Sequence, residues 1–99
     1  MNPLALYVDF NEMLEHDLVL LSKDDLKKAD NGETVLLHEG AQVTVYMDDE
    51  NDDGHADRLV ATGTVERNPG NSFSPNVKWC CRIDKHGIRH QSEIDQGTH

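Results

Sequence analysis

Three stretches of this chain place apolar residues at every second position. They are Val43, Val45 and Met47 within Gln42–Asp48, Leu59, Ala61 and Val65 within Leu59–Glu66, and Val77, Trp79, Cys81 and Ile83 within Val77–Asp84. A period of two predicts half-buried strands. The intervening positions hold Thr44, Tyr46, Thr62, Thr64, Lys78 and Arg82, which predicts an antiparallel sheet with one wet face. Trp79 is the only tryptophan among five aromatic residues, so its strand is expected to carry a large share of the core.

Shorter signals fill in the rest. Leu4–Phe10 reads as a strand followed by an irregular or helical turn, with a helix starting at Asp9 as the alternative, and Leu18–Leu21 reads as a strand. Ser22 followed by Asp25, Leu21 and Leu26 at staple positions, and Asn31-Gly32 as a stop predict one short helix over Lys23–Ala29. Thr34–His38 follows as a strand, Glu39-Gly40 as a tight turn, and Ile88–Ile94 as a last strand paired with the Trp79 strand in a hairpin. Pro-Gly and Ser-Pro punctuate an exposed loop between Glu66 and Asn76, which also contains Phe73. Five or six short strands joined in sequence order predict a mostly β fold. The expected form is a small SH3-like five- to six-stranded barrel or a β-roll with one helix at about 23–29. A single domain over 1–95 and a flexible polar tail over 96–99 complete the expectation.

Scattered segments resemble a eukaryotic SH3 domain. Ala5-Leu6-Tyr7-Val8-Asp9-Phe10 is similar to that family's Ala-Leu-Tyr-Asp-Tyr opening with one residue inserted, Trp79-Cys80 stands where a Trp-Trp pair would, and Gly87-Ile88 resembles the closing Gly-Ile-Pro. The insertion reverses the strand phase, Cys80 replaces the second tryptophan, and the Pro and Tyr that would follow Ile88 are absent. The resemblance therefore implies shared barrel grammar without a proline-peptide groove.

Charge sharpens the picture. The net charge is −10, yet residues 1–57 hold fifteen acids against three lysines and residues 58–99 hold six bases against four acids. Such a field repels nucleic acid and anionic membrane and attracts basic protein surfaces or cations; plain solubility is the simplest use of it. Cys80 and Cys81 are adjacent, so on a strand they point to opposite faces and cannot bridge; Cys81 is expected in the core and Cys80 exposed. The amino-terminal segment lacks a basic run and a long apolar stretch, which together with two free thiols predicts a cytoplasmic protein of bacterial type.

Candidate sites follow from that balance. The acidic stretch from Asp48 to Asp57, with Asp48, Asp49, Glu50, Asp52 and Asp53 at its tip and Tyr46 beside it, is the expected contact for a partner protein with a basic surface. Asp49, Asn51 and Asp53 match the first half of an EF-hand calcium loop, but position twelve falls on Val60, so only a weak divalent-cation site is conceivable there. Lys78 and Arg82, with His86, Arg89 and His90, form a basic carboxy-terminal hairpin that would serve a nucleic-acid accessory role as an alternative. Cys80 and Cys81 with His86 and His90 have the wrong spacing for zinc and lack a recognisable oxyanion hole. Phosphate loops, dinucleotide fingerprints and serine elbows are absent, so the reading is a non-enzymatic, monomeric interaction module with no cofactor.

Overall fold

The computed structural model describes residues 5–50, 53–69 and 76–96, with 94–96 as backbone alone. Among the described residues nine strands and one helix run in the order β1 (Ala5–Tyr7), β2 (Met13–Glu15), β3 (Leu18–Ser22), β4 (Leu26–Lys28), β5 (Thr34–Leu36), β6 (Gln42–Met47), β7 (Leu59–Arg67), β8 (Trp79–Ile83), β9 (Arg89–His90) and α1 (Gln91–Gln96). The three alternating segments become β6, β7 and β8, neighbours in one sheet of order β1-β6-β7-β8-β3-β2. All its pairings are antiparallel except β1 with β6.

β7 is the spine. One edge pairs with β6 from Gln42↔Thr64 to Met47↔Leu59; the other is shared, with Gly63–Arg67 against β8 and Leu59–Val60 against β9. Gly63 faces Ile83 at a tight point of the β7–β8 pairing: a Cβ at Gly63 would lie inside the Arg82 carbonyl and 2.7 Å from Cys81 Sγ. Glycine is the residue that permits this approach.

The main core holds Leu6, Val19, Val45, Val65, Trp79 and Cys81, in agreement with the period-two faces, but Val77, expected beside Trp79, packs with Leu18, Leu20 and Cys80 instead. The β4–β5 hairpin is a second, two-stranded sheet that closes over it, contributing Ala29 and Leu37. A bridge from Ala29 to Leu6 and a hydrogen bond from Asp30 N–H to the Ala5 carbonyl at 2.9 Å fasten the hairpin to β1.

Four expectations are corrected. First, the sheet is not a closed barrel: β1 and β2 end the strand order, and Ala29 and Asp30 occupy the edge of β1 that closure would need. Second, the helix expected at 23–29 is a bend followed by β4. The Ser22 hydroxyl accepts from Asp24 N–H at 3.1 Å, a tight local turn rather than a helix cap, and Asp25 is drawn away by Lys78 and Trp79. Asn31-Gly32, read as a helix stop, is the β4–β5 turn: Asn31 Oδ1 accepts from Glu33 N–H and Gly32 has φ of +90°.

Third, the last strand is short and does not pair with β8. β9 lies against β7, and the chain then winds into α1 because Asp57, from a distant loop, caps it: Asp57 Oδ1 accepts from Ser92 N–H at 3.1 Å and Oδ2 from Ser92 Oγ at 2.7 Å. Fourth, the outer face is not uniformly wet. Cys80, Leu18 and Leu20 form a second buried cluster under Leu14 and Val77, and Thr44 is also buried. β3 and β8 are thus covered on both sides. Phe73, Asn51 and Asp52, and 97–99 of the expected tail, lie outside the described residues; α1 runs through Gln96.

Candidate interaction surface

The acidic stretch is the connection between β6 and β7. A bridge between Glu50 and Ala56 and a hydrogen bond from Asp57 N–H to the Asp49 carbonyl at 2.9 Å extend the hairpin beyond Met47 and Leu59. Its carboxylates are therefore presented from a structured base. Asp48, Asp49, Glu50 and Asp53 are all exposed.

An open cleft of about 770 Å³ lies between this hairpin and α1, lined by Asp48, Asp49, Glu50, Asp57, Arg58 and Ser92. His90 spans its margin: Nε2 lies 3.0 Å from Asp49 Oδ2 and Nδ1 lies 3.4 Å from Glu93 Oε1. The bond to Asp49 raises the His90 pKa above its ordinary 6.5, and the same bond lowers that of Asp49. Asp57 is lowered by its Ser92 hydroxyl bond. A raised folded-state pKa means the imidazolium contacts are fully present below the unfolded value and are lost as pH rises through the folded one. His90 is accordingly expected to titrate above 6.5 by NMR, with Asp49 and Ser92 amide signals moving in the same step. Asp49→Asn should bring the midpoint back down; a midpoint at or below 6.5 in the unaltered chain would show that the His90–Asp49 contact does not hold in solution.

Arg58, which follows the acidic stretch, organises the neighbouring face. Its guanidinium stands 4.2 Å from the Tyr46 ring centroid, 3.2 Å from Asp30 Oδ2 and 3.9 Å from Asp48 Oδ1. Tyr46 in turn meets the Tyr7 ring edge-on at a centroid distance of 5.7 Å. Tyr46, Asp48, Asp49 and Glu50 thus do come together, with Arg58 among them.

Lys78 and Arg82 lie elsewhere. Lys78 Nζ is 2.6 Å from Asp25 Oδ1, the oxygen that also accepts from the Trp79 indole N–H at 3.0 Å. Arg82 is surrounded by Glu66 at 3.1 Å, Glu15 at 3.2 Å and Asp17 at 2.7 Å. Those three carboxylates, Glu66 foremost, hold the guanidinium firmly protonated. The two bases expected to make a nucleic-acid surface are thus ion-paired within the protein, and β8 lies between β7 and β3 rather than in a terminal hairpin.

For the cation reading, Asn51 lies outside the described residues and Asp49 is engaged by His90. Among the described residues no three His, Cys, Asp or Glu groups gather as a metal site. Cys80, expected to be exposed, is as fully buried as Cys81; burial pushes the two thiols up to about 11 and about 12, which keeps them protonated and unreactive at neutral pH.

Sequence reasoning missed Arg58, Asp30 and His90 as members of this region, and placed Asp57 in the acidic stretch without its bonds to Ser92. Only the position of Arg58 directly after the acidic run was a usable signal; the other contacts depend on elements distant in the chain. No helix among the described residues is long and apolar enough to cross a membrane. Comparison of the chain with protein-family models, curated proteins and solved structures finds no match.

Proposed function

We propose that the protein is a non-enzymatic module that binds a basic surface of another protein through the acidic β6–β7 hairpin. The observation that carries this reading is the exposure of the hairpin's carboxylates: Asp48, Asp49, Glu50 and Asp53 all face solvent, while the bases Arg82 and Lys78 are engaged by carboxylates elsewhere in the protein. An exposed carboxylate-bearing hairpin can steer and dock cationic partners, and needs no deep pocket to do so. The two free, buried thiols suit a reducing compartment such as the cytoplasm.

An oligo-lysine peptide is the direct probe. It is expected to bind saturably and to lose at least about tenfold in affinity between about 0.05 and about 0.5 M salt. A triple variant, Asp48→Asn, Glu50→Gln and Asp53→Asn, should abolish that binding while the fold is retained. Salt-independent binding, or binding that survives the triple variant, would overturn the proposal.

A further inference from the structure

The protein already binds one guanidinium, its own. Arg58 lies over the Tyr46 face with Asp30 and Asp48 at its nitrogens, an aromatic ring and two carboxylates forming the receptacle. Tyr7 repeats that combination next door. In the parallel register of β1 and β6 it stands beside Tyr46, and it is 48% exposed where Tyr46 is half-buried. Among the described residues no cation stacks on Tyr7. Tyr7 is one of the residues that line an open cleft of about 350 Å³, together with Asp9, Glu12 and Asp24, and with Lys23 and Lys27 on the same walls. Asp9 Oδ1 is used by Asn11 N–H at 2.9 Å, whereas Glu12 and Asp24 carry no side-chain ion pair among the described residues.

We infer that the basic partner inserts an arginine side chain here, with its guanidinium against the Tyr7 ring and within reach of Glu12, Asp24 and Asp9. The inference rests on the basic-partner reading and adds the residue type and the place. Arginine fits where lysine does not because its planar, weakly hydrated guanidinium stacks on a ring face while its edges bond carboxylates. Lys23 and Lys27 oppose any cation alike, so the preference for arginine comes from the ring.

Oligo-arginine and oligo-lysine peptides of equal length separate the two ideas, since their charge is the same. Oligo-arginine is expected to bind the full chain about three- to fivefold more tightly. Tyr7→Leu, which keeps bulk and charge, should remove that preference while leaving oligo-lysine affinity unchanged; Tyr7→Phe should retain it. Oligo-arginine should also shift the Tyr7 ring resonances more than those of Tyr46, whose face Arg58 covers, and this measurement needs no variant. Equal affinities, a preference that survives Tyr7→Leu, or unmoved Tyr7 resonances would overturn the arginine site and leave the basic-partner reading standing. Failure of both peptides to bind would remove both.

Discussion

Trp79→Ala is expected to cost about 3–5 kcal/mol, the range for emptying an aromatic-sized space in a packed core. The indole is 4% exposed, packs in the main cluster and donates to Asp25, while Arg67 and Lys78 stand about its ring with centroid distances of 5.1 and 5.3 Å. A chain of this size seldom has that much stability to spare, so the variant should be largely unfolded. Because Trp79 is the only tryptophan, unfolding has to be followed by circular dichroism rather than indole fluorescence. Trp79→Phe should lose less, since most of the apolar volume stays. Asp25, held below its ordinary 3.8 first by Lys78 and then by Trp79, should rise only part of the way in that variant. A depressed carboxyl stabilises above its unfolded pKa and stops doing so as pH falls through the folded one, so Trp79→Phe should begin to lose this contribution at a higher pH. A loss under about 1 kcal/mol for Trp79→Ala would mean the indole is not a core group.

Gly63→Ala is the second large effect, about 3 kcal/mol or more, at the upper end of overpacking costs. The added methyl would collide with the Arg82 carbonyl, which is main chain held by the β7–β8 pairing and cannot swing aside as a side chain could. The neighbouring Cys81 Sγ offers a way to separate the causes. Adding Cys81→Ala should recover only part of the loss, because the carbonyl remains. Full recovery in the double variant would assign the whole effect to the sulfur, and a small initial loss would show that β7 and β8 part easily. Thermal melts of the three chains decide the matter.

Much of the sheet was legible because β6, β7 and β8 are long enough for alternation to stand out, and Val45, Ala61, Val65, Trp79, Cys81 and Ile83 of their expected inward sets are buried, although Val43, Met47 and Leu59 are only half-buried. The signal failed where tertiary partners override local preference. Ser22, Asp25 and Asn31-Gly32 match a helix signature, yet Asp25 is bound to Lys78 and Trp79, and Asn31 turns a hairpin. The carboxy-terminal helix could not be read locally, because its capping carboxylate, Asp57, is thirty-five residues away from Ser92. Cys80 was misplaced for a related reason: alternation assigns two faces, but nothing in it says that Leu14 and Val77 roof the second one. At the surface, the acidic tip was evident from composition. The Tyr7, Tyr46 and Arg58 arrangement was not, since it needs the parallel register of β1 with β6.

The pairing of β3 with β8 has a bearing on biosynthesis. Leu18 and its partner Arg82 are sixty-four residues apart, and Ala5 waits thirty-nine residues for Thr44. A ribosome therefore releases the greasy run Leu18–Leu21 with only β2 and Leu14 beside it, well before β8 exists to complete its cover. That wiring defers completion of the sheet until β8 has been synthesised. In the interval, mutual repulsion among the many anionic side chains upstream keeps growing chains from sticking to one another.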